Sequence, residues 1–338
     1  MALWLVRAGK HGEREDFALV NNVAVIGWDE MPDLSGIHDR KDLAALLQQT
    51  YPNDKEKTLM NWEAQLWAFT QRIKPGDWVA LPLKRRSAIA IGKIVGDYAF
   101  NGDNPAGAMH FRPVQWQGEF TRTLFGQDLL YSLGSALTIC KIERHNAEER
   151  VKNIVAGKKD SAVKPPQIPT DSGEDAGPLD LEEIARDQIV KYIISKFKGH
   201  GLQRLVGSIL EAQGYTIRIA PEGPDGGVDI IAGRGALGFE APRLAVQVKS
   251  SDTPVDVGVL RELQGVMSTF GADLGLVVAW GGYKGTVEKE AARQFFKIRL
   301  WDSNELVSMI QNYYEQLPAD IQAELPLKRI WALVPEEE

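Results

Sequence analysis

Short apolar runs that alternate with polar residues dominate the first 155 residues of the chain. The strands predicted from this alternation lie at residues 3–6, 23–28, 77–83, 88–95 and 136–142. Between them, residues 39–50 and 58–73 carry apolar side chains at helical spacing. Strands that curl together with two intervening helices predict a small α+β barrel for this part of the chain.

After residue 180 the pattern changes to longer helical periods separated by apolar strands. Amphipathic helices are predicted at 181–197 and 202–213, and Gly214 after the second is suited to a left-handed cap. Further strands are predicted at 216–220, 228–232, 243–249, 275–279 and 298–302, and further helices at 257–270, 286–296 and 305–315. This order predicts a mixed sheet flanked by helices.

The segment at 156–180 separates these two patterns. It is rich in Pro, Gly, Ser and charged residues, and it has neither a helical nor a strand period. We therefore predict a flexible linker there, between a domain at 1–155 and a domain at 181–338. A length of 338 residues is comfortable for two domains that each bury a core.

Composition narrows the class of protein. The formal net charge of −7 argues against a protein that coats nucleic acid indiscriminately, although it does not exclude a nuclease with local basic faces. The single cysteine, Cys140, excludes internal disulfides and multi-cysteine zinc sites. With no signal peptide and no apolar stretch of membrane-spanning length, the expected location is the cytoplasm, without membrane association.

Three residues on two neighbouring predicted strands have the chemistry of a nuclease centre. Asp229 begins one strand, and Gln247 and Lys249 lie two apart on the next, so that strand alternation puts both on one face. If the two strands pair as a hairpin, that face also receives Asp229. A carboxylate and a side-chain oxygen can hold Mg²⁺, and an adjacent lysine can orient or deprotonate the attacking water.

A structural interpretation of the same segments is open as well. GPDGG at 223–227 is typical of a surface turn, and QVK at 247–249 is typical of an ordinary alternating strand. Each fragment alone favours that structural interpretation. Their combination on adjacent strands after a capped helix favours catalysis.

Residues 200–312 resemble the Mrr family of restriction endonucleases, within the PD-(D/E)xK nuclease superfamily. The matching segments are LVGSILEAQGY (205–215), GPDGGVDI (223–230), VQVK (246–249), RELQGVM (261–267) and GADLGLVV (271–278). The resemblance implies Asp229 as a metal ligand, Gln247 in the place of a second acid and as a metal ligand, and Lys249 as the catalytic lysine. Glutamine at that place is typical of the family.

The chain departs from the family near the start of the first matched helix, where relatives often carry glutamate and this chain has Gln203. The departure weakens the case for a third acidic ligand. Asp225 is open between a metal-site role and a turn-forming role. Gln264 is open between a phosphate contact and simple solvation.

The N-terminal part contains six of the nine tryptophans, Trp4, Trp28, Trp62, Trp67, Trp78 and Trp116. Four of them, Trp4, Trp62, Trp67 and Trp78, are expected in the core because they lie within predicted strands or a predicted helix. Trp28 differs because it ends a strand and opens the polar segment DEMPDLSG. An aromatic ring at the end of a strand can serve as a stacking platform for a base.

The segments WLVRAG (4–9), AVIGW (24–28), KPGDWVALP (74–82) and AIAIGKIVGDYAF (88–100) resemble the PUA-like superfamily, close to its EVE and YTH branches. This resemblance implies a nucleic-acid reader that holds one modified base in an aromatic cage. The cage residues it implies are Trp28, Tyr98 and Phe100, with Trp116 as a further, less favoured candidate; packing is an open alternative for Tyr98 and Phe100. Basic residues available for phosphate contacts are Arg7, Lys84, Arg85 and Arg86, unless they form only a solvated basic turn.

Together these patterns predict a two-domain restriction enzyme with an N-terminal PUA-like β-barrel and a C-terminal restriction-endonuclease-like mixed sheet. The expected activity is modification-dependent cleavage of double-stranded DNA with Mg²⁺, for which Mn²⁺ can substitute. Because both strands must be cut, a homodimer is expected. One alternative keeps the nuclease chemistry but reads an unmodified site or another defence signal. A second is a nucleic-acid-binding protein without catalysis.

Overall fold

The computed structural model describes residues 1–158, 160, 180–221 and 227–332. Two compact units are present, one built mainly from Met1–Ile184 and the other from Ala185–Ile330. The predicted linker at 156–180 lies largely outside the described residues. Within the described part, no helix is long and apolar enough to cross a bilayer.

The N-terminal unit is built on a curled half-barrel sheet. Its strands are β1 (Leu3–Val6), β2 (Val23–Ile26), β3 (Trp78–Pro82), β4 (Ala88–Ile94), β5 (Ala99–Phe100), β6 (His110–Thr121) and β7 (Ile139–Lys141). Its helices are α1 (Glu15–Val20), α2 (Arg40–Thr50), α3 (Glu56–Trp67), α4 (Gln127–Leu133) and α5 (Ala147–Val155). The sheet order is β2-β6-β4-β3-β1-β7, and β5 pairs with β6 beside this path.

Strand β6 was not predicted, although it is the longest strand of this unit at 12 residues. Its sequence, HFRPVQWQGEFT, carries Pro113 in its interior, and proline removes a ladder donor and argues against a strand. The ladder tolerates it because Pro113 needs to supply only its carbonyl, which accepts from Val95 N at 2.9 Å. Elsewhere the predicted strands are confirmed within a few residues at their ends.

Apolar residues on both faces of the sheet are buried, which explains the unbroken apolar run of β1. Leu3 and Leu5 pack into one core cluster with residues of α4 and α5. Trp4 and Val6 point the other way, into a cluster with residues of α2 and α3. Trp78 is also buried, as expected, whereas Trp62 and Trp67 are half-buried at the margin of the second cluster.

The second unit is a five-stranded mixed sheet flanked by helices, as the sequence predicts. Its strands are β8 (Thr216–Ile219), β9 (Ile230–Arg234), β10 (Glu240–Lys249), β11 (Leu274–Ala279) and β12 (Ile298–Trp301), in the order β12-β11-β10-β9-β8. Its helices are α6 (Leu181–Lys196, which begins in the first unit), α7 (His200–Ala212), α8 (Gly258–Phe270), α9 (Gly285–Arg293), α10 (Ser303–Tyr313) and α11 (Ala319–Glu324). Strands β8 to β10 are antiparallel, and β10 to β12 are parallel.

Helix α8 packs closely on the sheet because β11 carries Gly275 at the contact. A Cβ atom at this position would come within 2.8 Å of the side chains of Leu263 and Met267. Only glycine therefore lets the helix approach this closely without displacing those side chains. The consequence is that the exposed edge of α8 lies beside the central strand β10.

Candidate active site

Asp229 lies one residue beyond the end of the β9–β10 ladder. The last paired residues are Ile230 and Val246, and the ladder is extended by a hydrogen bond from Asp229 N to Val246 O at 3.0 Å. Asp229 Oδ2 accepts from the backbone N–H of Val248 at 2.6 Å. The carboxylate is thus held against the residue that separates Gln247 from Lys249, so the structure brings these three predicted residues to one end of the β9–β10 hairpin.

A second group positions the same carboxylate. Gln203, on the first turn of α7, donates from Nε2 to Asp229 Oδ1. Gln203 Oε1 accepts from His200 Nδ1 at 2.6 Å, since an amide oxygen can only accept. The histidine contact therefore fixes the amide with its NH₂ group directed at Asp229.

Gln247 is buried at 3% exposure, and its two amide ends have different environments. Nε2 donates to Glu262 Oε2 at 3.3 Å. Oε1 is buried and has no hydrogen-bond partner among the residues that the structure describes. Leaving a buried acceptor unpaired costs about 1–3 kcal/mol, so an unpaired oxygen indicates a missing partner.

Lys249 is half-buried at the end of β10, where it pairs in register with Ala279 of β11. Its backbone carbonyl accepts from Trp280 N at 2.8 Å, which anchors the end of the strand. In the described part of the chain, its Nζ has no ion-pair or hydrogen-bond partner. The ammonium group is therefore available to an incoming anion.

The donors at this end of the sheet fit a divalent, oxygen-preferring cation. Asp229 is buried at 9% exposure and offers carboxylate oxygens, and Gln247 offers its unpaired amide oxygen. No group of three or more His, Cys, Asp or Glu residues suited to a metal occurs in the described ranges. The Asp229–Gln247 pair does not fall into that class of site, because it contains only one such residue, the second ligand being an amide. Asp225, which the sequence left open, lies outside the described residues.

Two neighbours of the site were not assigned a role from the sequence. Gln203 appeared only as a departure from the family, and Glu262 only as a letter in the matched RELQGVM segment. Their contacts join α7 and α8 to the strands, and such long-range contacts leave no local pattern in the sequence. Gln264, two residues after Glu262 on α8, is exposed and donates to Gln294 Oε1 at 2.6 Å.

In the N-terminal unit, the three proposed cage residues converge on a histidine that sequence reasoning missed. His110 of β6 is completely buried. Its ring lies 5.0 Å from the ring of Phe100 and 6.0 Å from that of Tyr98, and its Nε2 lies 3.2 Å from Trp28 O. Trp28, Tyr98 and Phe100 are each half-buried.

Hydrogen bonds define the tautomer of the His110 ring. Because Trp28 O can only accept, Nε2 must donate, and in the neutral ring Nδ1 then accepts from the hydroxyl of Tyr98 at 2.8 Å. The same hydroxyl accepts from Leu34 N at 3.2 Å. Burial lowers the pKa of His110, which agrees with a neutral ring.

Trp28 adopts a left-handed backbone with φ of 70°, which is rare for a bulky residue. Its carbonyl is held by His110 and by Met31 N at 2.9 Å. Its indole meets that of Trp62 edge to face at 6.3 Å. Strained residues that the surroundings hold in place are concentrated at binding sites, and Trp28 fits that description.

Trp116, the less favoured cage candidate, is also half-buried, but its indole Nε1 donates to Ala18 O at 3.1 Å. Its ring packs at the margin of two core clusters. These contacts favour a packing role.

Two of the four residues predicted to contact phosphate, Arg7 and Lys84, form ion pairs with the same carboxylate. Arg7 is buried at 7% exposure, pairs with Glu183 at 3.1 Å, and donates to two backbone carbonyls. Lys84 lies 2.8 Å from Glu183 and 2.6 Å from Asp180. Burial raises the pKa of Glu183, but the charges of Arg122, Arg7 and Lys84 outweigh this effect and hold that pKa well below its usual range. These contacts favour a structural role for Arg7 and Lys84.

The other two residues of that set differ in accessibility, because the Arg85 side chain is 53% exposed and that of Arg86 is 23% exposed. Arg85 is exposed and lies 3.2 Å from an equally exposed Asp16. Arg86 pairs with Glu119 at 2.9 Å. An exposed ion pair contributes little to stability, so Arg85 can readily exchange Asp16 for another anion. Arg85 is therefore the member of the set best placed to contact phosphate.

Comparison with known families assigns the C-terminal part. A family model described as "Restriction endonuclease" (Mrr_cat) matches residues 194–310, so the chain carries a restriction endonuclease domain that includes Asp229, Gln247 and Lys249. This match confirms the resemblance of that part. A model described as a domain of unknown function (DUF8426) matches residues 4–125, and the PUA-like assignment stays a prediction. Comparison with curated proteins gives no match.

Two solved structures align with most of the chain at low similarity. The DNA modification-dependent restriction endonuclease AspBHI shares 12% identity, with 79% of this chain and 72% of that chain covered and a TM-score of 0.35. The MspJI restriction endonuclease in complex with a 27-mer oligonucleotide shares 14% identity, with 81% and 69% covered and a TM-score of 0.32. These values are too low for either structure to bear on what this chain binds or cuts.

Proposed function

We propose that the restriction endonuclease domain of this chain is a magnesium-dependent DNA endonuclease, with Asp229, Gln247 and Lys249 as its cutting centre. One observation carries the proposal. The buried amide oxygen of Gln247 has no partner among the described residues, and it belongs to the residue beside the Asp229 contact. A purely structural glutamine would pair both ends of its amide.

The three residues divide the work of phosphodiester hydrolysis. Asp229 and Gln247 would hold the cation through oxygen atoms, and Mn²⁺ would substitute for Mg²⁺ at such a site. The cation would supply positive charge that polarises the scissile phosphate. Lys249, with its uncommitted Nζ, orients or deprotonates the attacking water and neutralises the charge that develops on the phosphoryl oxygens.

We further propose that the N-terminal unit reads a modified base, and that two copies act together to cut both strands. The convergence of Trp28, Tyr98 and Phe100 on His110 supports the reader, because strained and half-buried aromatics offer faces for stacking. Extruding a base costs a few kcal/mol, so a cage that compensates only for a modified base discriminates steeply.

Digestion of matched DNAs tests this proposal. The substrates carry cytosine, 5-methylcytosine, 5-hydroxymethylcytosine or N6-methyladenine in one sequence background, each with Mg²⁺ and with a chelator. We expect cleavage of one modified DNA only, and only with metal. Equal cleavage of all four would instead favour a reader of an unmodified site, and no cleavage of any would favour the non-catalytic alternative.

Binding by the full-length Lys249→Ala protein isolates the reader, because that variant should not cut. We expect Trp28→Ala to remove the preference for modified DNA, since stacking on one aromatic contributes roughly 1–3 kcal/mol per base. Trp28→Phe, which keeps an aromatic face, should retain part of it. If Trp28→Ala keeps its full preference and its melting temperature, Trp28 is not part of the reader; if only the melting temperature falls, its role is packing.

A further inference from the structure

The orientation of the Gln247 amide decides whether it can bind a cation. The two ends of an amide have nearly the same shape, but the oxygen only accepts hydrogen bonds and the nitrogen only donates them. A cation binds the oxygen. A glutamine in a metal site is therefore useful in one of its two orientations and repulsive in the other.

Glu262 favours the useful orientation. A carboxylate offers only acceptors, so the group of Gln247 that faces Glu262 Oε2 at 3.3 Å must be the NH₂. Oε1 is then turned away from Glu262, into the buried position where it has no partner among the described residues. At 3% exposure, Gln247 has little water available to compensate for the opposite orientation.

The helix that carries Glu262 is fixed against the strand that carries Gln247. Leu260 and Leu263, on either side of Glu262 in sequence, belong to one core cluster with Ala245 and Val277. The side chain of Glu262 is itself exposed and has no packing role. Its backbone is held in place by the two buried leucines, so the carboxylate contacts the Gln247 amide from a fixed position.

We propose that Glu262 is a positioning residue, which holds the Gln247 amide with Oε1 directed towards the metal. This inference rests on the proposed nuclease function and adds a residue to it. Glu262 acts through Gln247 and need not touch the cation.

Binding of Mn²⁺ to the full-length protein, followed by loss of the free-ion electron paramagnetic resonance signal, tests the inference without catalysis. Glu262→Gln keeps the shape but can face Gln247 with either a donor or an acceptor. We expect Mn²⁺ affinity to fall about tenfold, as is usual when a partner that orients a metal ligand is lost. Glu211→Gln, which removes an exposed carboxylate from the last turn of α7, is the control and should leave affinity unchanged.

A double substitution separates positioning from direct action on the cation. Glutamate at 247 presents oxygen on both sides and would be repelled by the nearby Glu262 carboxylate. In a Gln247→Glu background, Glu262→Gln should therefore leave Mn²⁺ affinity unchanged or raise it. A tenfold loss in this background as well would show that Glu262 acts through its own charge or as a ligand, and would overturn the inference.

Cleavage gives a second measurement. In Glu262→Gln, the Mg²⁺ concentration for half-maximal cleavage should rise about tenfold, while the rate at saturating Mg²⁺ approaches that of the wild type. If Glu262→Gln has the wild-type melting temperature and an unchanged Mg²⁺ dependence, the inference is overturned, but the proposed nuclease function is not. If the wild type neither binds Mn²⁺ nor cuts DNA with metal, both the inference and the proposed function fail.

Discussion

The cluster around Glu183 gives a prediction that separates structural from DNA-binding arginines. Replacing Glu183 with Gln removes a negative charge that Arg7, Lys84 and Arg122 share. The side chains of Arg7, Arg122 and Glu183 are each less than a tenth exposed, so water cannot take over the lost interaction.

The structure sets the size of the effect. Breaking a buried pair by removing one partner typically costs about 3–5 kcal/mol, because the remaining charge stays buried and uncompensated. Here the amide oxygen of glutamine can still accept one hydrogen bond, and Lys84, at 29% exposure, can turn to solvent or to Asp180. We therefore expect a loss at the lower end of that range, about 3 kcal/mol.

Denaturant unfolding followed by tryptophan fluorescence measures this loss. Six of the nine tryptophans lie in the first 155 residues and report on that unit. Asp16→Asn is the matched control, because it also removes one carboxylate from an ion pair, but Asp16 and Arg85 are both exposed and the expected cost is at most about 1 kcal/mol. If Glu183→Gln were no more destabilising than Asp16→Asn, the structural assignment of Arg7 would be wrong.

Three further predictions concern other charged groups. Because burial lowers the pKa of His110 in the folded state, the unfolded chain binds more protons below about pH 6.5. Stability should thus fall as pH is lowered from 7 to 5, and a His110→Gln variant with the same pH slope would contradict this. Asp229→Asn should reduce Mn²⁺ affinity and abolish cleavage, since its NH₂ would oppose the Gln203 donor; wild-type affinity would remove Asp229 from the site. Arg85→Ala should weaken DNA binding and reduce the slope of log affinity against log salt concentration by the amount expected for about one phosphate contact. An unchanged slope would exclude a phosphate contact by Arg85.

Much of the fold follows from local pattern. Residues on both faces of strands such as β1 and β10 pack into core clusters. The unbroken apolar runs of these strands indicate this burial in the sequence. Strand β6 was missed because Pro113 and several polar residues weaken its alternation, and its pairing with β2, β4 and β5 is not visible in the local sequence.

The candidate site also contains some residues that the sequence indicates and others that only the structure reveals. Strand alternation places Gln247 and Lys249 on one face, and their residue types together with the family resemblance indicate their chemistry. Glu262 and His110 act through contacts between elements far apart in sequence, which no local pattern encodes. Arg7 is the converse case, since its positive charge is visible in the sequence and its burial against Glu183 is not.

Single-turnover cleavage by wild type and Lys249→Ala tests the central claim most directly. The substrate is double-stranded plasmid DNA that contains both unmodified and modified bases, with saturating Mg²⁺. We expect metal-dependent cutting by the wild type and a loss of at least about a thousandfold in the variant, which corresponds to ~4 kcal/mol of transition-state stabilisation. A folded Lys249→Ala protein that binds DNA and cuts it at the wild-type rate would contradict the assignment of the active site.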